Sequence, residues 1–208
     1  IPLFFLFNFF KEIMASKVEI CNSALNMLGA GNITDITEDS KNARLLNQRY
    51  DPVRDAVFRL HAWNCLIKRV ELAQDSDTPT HEFEKQYTLP SDCLRVLKIG
   101  GHHDGSSSDL DDGQQFKIEG RKLLTDESTV YLIYIAKITD VNQYDTLLQE
   151  TIAARLASEL CYAITASTSL ATQMNELYKE KLREARHIDA SEGTAEMLDS
   201  STFINSRF

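Results

Sequence analysis

Apolar positions recur at helical spacing at both ends of the chain and alternate in the middle. Val18, Cys21, Leu25 and Leu28, with Ala24 beside them, predict a helix over about 17–28. Ser16 is placed as its N-cap and Gly29 as its stop. Residues 29–32 then make a turn, and Ile33 and Ile36 anchor a short connection. A second helical pattern starts near Asp39 and Ser40. Ala43, Leu46 and Tyr50 share a face that Val53, Val57 and Leu60 continue. Asp51-Pro52 interrupts that run. Asp as N-cap with Pro at the first helical position predicts a kink or a restart there, then helix to about His61. Trp63 falls just past the end, where a large aromatic can lock a helix against its neighbours.

Between 66 and 138 the period changes. Residues 66–73 alternate apolar and charged side chains and predict a strand. Tyr87 to Pro90 alternates, and Pro90 stops the pairing. Leu94, Val96, Leu97 and Ile99 predict another strand. Residues 116–118 and 123–124 read as a hairpin with Glu119-Gly120 at its turn. Val130–Ala136 is the strongest strand signal in the chain. Between these runs, residues 101–113 hold two His, three Ser, four Asp and three Gly, a surface-loop composition.

Helical spacing then returns. Asn142 is placed as an N-cap, with Asp145 at the third helical position. Leu148, Ile152, Leu156, Leu160 and Ala163 form one apolar stripe ending near Thr165. After the short 166–169 connection, Leu170, Met174, Leu177, Lys181 and Ala185 mark a further helix ending at Ile188. So short a link predicts an antiparallel helical hairpin. The expected fold is α+β, a helical bundle of N- and C-terminal helices with an inserted small antiparallel β region. The expected division is 1–13 as a non-native upstream extension, 14–65 as the N-terminal helices and 66–138 as the β insertion. Residues 139–188 are the C-terminal hairpin, and 189–208 an extended tail.

Composition narrows the function classes. Lys and Arg number 22 and Asp and Glu 31 among 208 residues, a formal net charge of −9. That argues against holding DNA or RNA on a general basic surface. Cys21, Cys65, Cys93 and Cys161 are scattered, which fits four reduced thiols rather than a disulfide framework or a zinc ribbon.

Few residues suggest chemistry. Gly29 and Gly31 lack the third glycine of a dinucleotide loop and follow a helix rather than a strand. The one metal-like cluster is His102, His103 and Asp104 with Asp109, Asp111 and Asp112. These residue types ligate zinc or manganese, but adjacent histidines on a Gly/Ser loop lack the rigid support that a site needs. The cluster reads as a solvated loop, and neither a metal nor a cofactor is expected. His61 beside Trp63 reads as packed rather than catalytic. Lys179, Lys181, Arg183 and Arg186 are interleaved with Glu176, Glu180 and Glu184, which predicts a solvated or subunit-facing helix face.

Residues 1–10 are almost wholly apolar. They fall short of the ~20 residues that a bilayer span needs. No basic start or small-residue cleavage site accompanies them. Met14-Ala-Ser16 reads as a bacterial start, and Lys11-Glu12 as a translated ribosome-binding sequence. Residues 1–13 are therefore expected to be upstream sequence carried into the frame, the rival being a membrane- or partner-inserting arm.

Several motifs follow one another in order. They are Val18-Glu-Ile-Cys-Asn-Ser-Ala-Leu-Asn-Met-Leu-Gly29, Ile33-Thr-Asp-Ile36, Tyr50-Asp-Pro-Val-Arg-Asp55 and Leu60-His-Ala-Trp-Asn64. After them come Tyr87-Thr-Leu-Pro-Ser-Asp92, Leu94-Arg-Val96 and Leu156-Ala-Ser-Glu-Leu160. Over about residues 15–208 the set resembles the head-to-tail adaptors of short-tailed bacteriophages, the tail tubular protein A group and related connectors. The resemblance implies a non-enzymatic virion protein, made in the bacterial cytoplasm and placed at the head–tail junction. It implies a homo-oligomeric ring, typically dodecameric, under the portal protein, through which DNA passes without specific binding and without a membrane. The helices would form the ring body, and the β region would face the tail tube or nozzle with its His102–Asp112 loop. The C-terminal segment would reach along the portal, with Phe203, Ile204, Arg207 and Phe208 as anchors. A net-acidic subunit suits a DNA conduit, because it repels phosphate at short range. Two other classes remain open: a metal-dependent hydrolase using the His102–Asp112 loop, and an interaction module acting through its C-terminal tail.

Overall fold

A computed structural model describes residues 16–100 and 115–192. The fold is α+β, with four helices and two small antiparallel sheets. In chain order come α1 (Lys17–Met27), α2 (Lys41–Leu60), β1 (Ile67–Leu72), β2 (Lys85–Thr88) and β3 (Cys93–Gly100). There follow β4 (Phe116–Glu119), β5 (Lys122–Thr125), β6 (Val130–Ala136), α3 (Thr146–Thr165) and α4 (Thr168–Ser191).

Local chemistry sets the boundaries of α1. The Ser16 hydroxyl accepts from the Glu19 N–H at 3.1 Å, and the Glu19 carboxylate accepts from the Ser16 N–H at 2.9 Å. This reciprocal cap satisfies two amides that the helix itself leaves open. At the other end Gly29 takes φ +65°, and the Ala30 N–H returns to the Leu25 carbonyl at 3.0 Å. Only a residue free to adopt the left-handed region closes a helix in this way. The Asn22 side chain then brackets Ile33, donating to its carbonyl at 2.9 Å and accepting from its N–H at 2.8 Å.

Two helix expectations need correction. α2 runs unbroken through Pro52 for 20 residues, so Asp51 is a helical residue and not a cap. Proline removes one backbone hydrogen bond there. Tyr50, Val53, Val57 and Phe58, all buried around it, hold the helix together from the core side. Asn142 does not cap α3. Asp140 caps a short 3-10 turn over Val141–Gln143, and Asp145 is the true N-cap, accepting from the Leu147 N–H at 2.8 Å. Three Asx residues lie close together here, and the two aspartates, not Asn142, do the capping.

α3 is the hub. It packs against α1, α2 and α4, and it buries Leu148, Ile152, Leu156 and Leu160. Ala163 drops out of that stripe and is exposed, one turn before the left-handed Ala166 ends the helix. α4 returns antiparallel to α3. Lys181 reaches Glu150 at 3.7 Å, and the Arg155 guanidinium sits 4.9 Å from the Tyr178 ring centroid. α4 also extends three residues beyond Ile188, where its apolar period fades.

The β insertion forms two three-stranded antiparallel sheets, ordered β1-β6-β3 and β2-β5-β4. β6, the strongest sequence signal, is the central strand of the first. The first sheet abuts the end of α2, whose Arg59 guanidinium donates to the Leu94 carbonyl. The Arg95 guanidinium donates back to the Arg59 carbonyl at 3.2 Å. One continuous apolar core runs from Ile20 of α1 through both sheets to α3 and Ala185 of α4. No helix among the described residues is long and apolar enough to cross a membrane.

Candidate functional site

The expected site residues lie outside the described residues. These are His102, His103, Asp104, Asp109, Asp111 and Asp112 in the loop, and Phe203, Ile204, Arg207 and Phe208 in the tail. The proposed extension 1–13 lies outside them as well. The structure does fix where both segments attach. The loop spans from Gly100, the end of β3 in the first sheet, to Gln115, just before β4 in the second. The tail departs from the end of α4.

That departure point is clamped. Asp189, in the last turn of α4, is buried, and both of its carboxylate oxygens are used. Oδ2 lies 2.9 Å from His61 Nε2, and Oδ1 accepts from the Asn64 N–H at 3.0 Å. The Asn64 side-chain amide donates to the Asp189 backbone carbonyl at 2.7 Å. The His61 ring meets Trp63 edge-on, 4.9 Å between centroids, and the Trp63 indole N–H donates to the Val57 carbonyl at 3.1 Å. Three polar contacts thus tie the C-terminal end of α4 to the turn that leads from α2 into β1. A buried carboxylate is tolerated only when so satisfied. The apolar period, which ends at Ile188, predicts Asp189 in the tail, whereas it lies inside α4. The signal was present, since Tyr178, Leu182, Ala185 and Asp189 continue one helical face. The polar identity of its last member hid it.

The Asp–His pair resembles the base-and-orienter half of a catalytic triad, so a nucleophile must be sought beside it. The thiol nearby is Cys65. Burial pushes its pKa up, Asp145 backbone hydrogen bonding opposes this, and the Asp189 charge adds to the rise. Cys65 therefore stays a protonated thiol, the reverse of an activated nucleophile. Cys21 is likewise buried, with its pKa pushed up to about 12. The arrangement acts as a mechanical clamp.

A second buried charge organises the other side of α2. The Arg54 guanidinium sits under Tyr50 and Phe58 and grips Asp55 through Nε at 2.9 Å and Nη2 at 2.7 Å. Nη1 donates to Asp51 at 3.0 Å. Burial opposes the charge, and the Asp55 carboxylate outweighs it, so the pKa of Arg54 is raised. Asp55 also receives Lys137 at 2.8 Å. Phe58 meets Tyr144 edge-on at 5.3 Å, and the Tyr144 hydroxyl donates to the Ile138 carbonyl at 2.8 Å. This cluster fastens α2 to the segment that carries the chain from β6 back to α3. Arg54 and Asp55 lay within the quoted motif, but their burial could not be read from it.

The basic stretch of α4 divides in two. Lys181 turns inward to Glu150, and Lys179 pairs with Glu176 at 2.8 Å. Arg183 and Arg186 are exposed, and with Lys179 and Leu182 they line a shallow cavity of ≈ 270 Å³ on the outer face. Among the described residues no group of three or more His, Cys, Asp or Glu could hold a metal ion. No protein-family model matches the chain, and no curated protein matches it either.

Proposed function

We propose that this chain is a head-to-tail adaptor of a short-tailed bacteriophage, a non-enzymatic virion protein at the head–tail junction. Copies form a ring, expected to be dodecameric, between the portal and the tail tube or nozzle, and DNA passes through it. The observation that carries the reading is the architecture. Helices from the two ends of the chain close around α3, and the strand block between them folds as a separate pair of sheets beside the end of α2. This is the arrangement that the ordered motifs imply for ring body and tail-facing insertion.

The Asp189 clamp supports a role for the C-terminal segment. A segment meant to reach a partner gains from a fixed point of departure, because a firm base lowers the entropy lost on binding. Phe203, Ile204 and Phe208 remain the proposed anchors, with Arg207 beside them.

The test is a truncation. Cutting after Ile188 would remove Asp189 and unpin the helix end, so the cut belongs after Glu192. A chain ending at Glu192 is expected to keep its far-UV circular dichroism and its self-association but to lose capture by immobilised portal protein. Undiminished capture would remove the tail from the interface.

A further inference from the structure

The two sheets have four edges between them. The outer edge of β2 is occupied by the chain's own residues 74 and 75. Gln74 bridges to Tyr87, and the Asp75 N–H donates to the Gln86 carbonyl at 3.0 Å. β3 lies against α2. β4 has no strand on its outer side among the described residues, but its Lys117 is already paired with Glu82 at 3.1 Å and with Glu119 at 3.6 Å. β1 has no described strand beside it either, and its charges are less occupied. Lys68 through Glu71 are all exposed. Lys68 is held by Asp92, whereas Arg69 and Glu71 have no ion pair with another described residue. Open edges invite pairing, and proteins usually blunt them.

The ladder fixes which main-chain groups of β1 are open. The Lys137 N–H, just past β6, donates to the Asp92 carbonyl at 2.7 Å, so Lys137 faces β3. Alternation along β6 then turns the main-chain groups of Tyr134, Leu132 and Val130 the other way, toward β1. Their partners across the ladder are Lys68, Val70 and Leu72, whose N–H and C=O groups are therefore used inside the sheet. Those of Arg69 and Glu71 point at the open edge.

An antiparallel partner must oppose Arg69 and Glu71 to residues whose main-chain groups also point outward. A second copy of β1 offers them. With a twofold axis at Val70, Arg69 of each copy faces Glu71 of the other, and each such pair exchanges both of its main-chain hydrogen bonds. Acid is then opposite base on both sides of the axis. Val70 meets Val70 in the closer, non-bonded position. Lys68, its ammonium held by Asp92 at 2.9 Å, lays its methylene stem beside Leu72. The faces agree as well. Arg69 and Glu71 lie on the face of the exposed Tyr131, and Val70 lies on the face of the buried Leu132. The next registers on either side that could form hydrogen bonds lose this match. One opposes Arg69 to Arg69, and the other opposes Glu71 to Glu71. The edge thus specifies a single register with itself.

We propose that β1 is a self-complementary docking edge, which pairs antiparallel with β1 of a second copy in the register that opposes Arg69 to Glu71. Main-chain hydrogen bonds supply the affinity of such strand addition, and the side-chain register supplies its specificity. The two three-stranded sheets join into one across the axis, and the open edge is covered. The same patch is used on both copies, so the contact closes on itself as a dimer and cannot run round a ring of like-oriented copies. It therefore belongs to the free chain, and it goes beyond the adaptor reading without resting on it.

The test combines light scattering behind size exclusion with amide hydrogen exchange read by NMR, both on the full chain over a concentration series. The mass is expected to rise toward that of two copies. The Arg69 and Glu71 amides are expected to gain protection over the same range, while the Val70 amide, bonded to β6 in either state, is protected throughout. Arg69→Glu and Glu71→Arg, each alone, set like charges opposite one another and are expected to raise the dimer dissociation constant about tenfold. The double variant restores the acid–base pairs in reversed order and is expected to dimerise like the unaltered chain. Far-UV circular dichroism reports that each variant is folded. A chain that stays monomeric throughout would overturn the proposal. So would association that leaves the Arg69 and Glu71 amides unprotected, single variants that dimerise normally, or a double variant as weak as the singles. Rings with those two amides unprotected would support the adaptor reading and overturn this one, and portal capture judges the adaptor reading separately.

Discussion

α3 and β6 occupy the same place in two different layers, and α4 and β4 occupy the opposite one. α3 has helices around it and buries nine of its 20 residues; α4 touches chiefly α3 and buries three of 24. β6 is paired on both sides and is mostly buried, while β4 is paired on one side and has no buried residue. The two centres hold the fold together. The two margins rest chiefly on one neighbour each and leave most of their residues outside the core. In a chain proposed to work by joining other molecules, the margins are where such joining has material to use.

The largest expected effect lies at a centre. Leu156→Ala in α3 removes a fully buried side chain and is expected to cost about 3 kcal/mol in chemical denaturation, with loss spread over the whole molecule. A cost below about 1 kcal/mol would mean that α3 is not the hub. The next effect tests the clamp at the margin. Asp189→Ala leaves the Asn64 N–H without its acceptor and His61 without its partner, at an expected cost of about 2 kcal/mol. Hydrogen exchange should show that loss concentrated in the last turns of α4 and residues 61–65, with α3 still protected. Equal loss of protection in α3 would erase the distinction between centre and margin. Ile118→Thr on β4 is expected to change stability by only about 0.5 kcal/mol, because the side chain is already half in water.

A smaller effect separates the two sheets by pH. The Asp92 carboxylate accepts from Lys68 at 2.9 Å and from the Tyr134 hydroxyl at 3.1 Å, linking β1 and β6 of the first sheet to the start of β3. Burial pushes its pKa up, but these hydrogen bonds outweigh that, and the net shift is below the ordinary 3.8. A depressed carboxylate stabilises the fold fully above its unfolded value and stops doing so as the pH falls through its lower folded value. Asp92→Asn is therefore expected to destabilise at neutral pH and to lessen the loss of stability below about pH 4. An unchanged acid limb would show that Asp92 is not the group responsible.

The centres were the legible part of the sequence. The α3 stripe and the Val130–Ala136 run carry strong periods, because every burying position must be apolar when an element is surrounded. The margins were less legible. α4 needs only one narrow face, so its apolar period stops three residues before the helix does, and Asp189 gives no apolar signal although it is buried. Pro52 misled for a related reason. Local preference argued for a break, and burial of the α2 face around it prevailed. The Arg54 cluster depends on groups distant in sequence, Asp55 with Lys137 and Phe58 with Tyr144, which no local pattern contains. The loop and tail residues that carry the proposed contacts lie outside the described residues, so their part rests on the sequence.

The central claim is that this chain forms a ring seated on a portal. The most direct measurement is negative-stain imaging of the full chain mixed with the portal protein of the virus that carries it. The account predicts a ring of repeated density stacked coaxially on the portal with an open channel through both. Bare portals surrounded by separate single globules would contradict it.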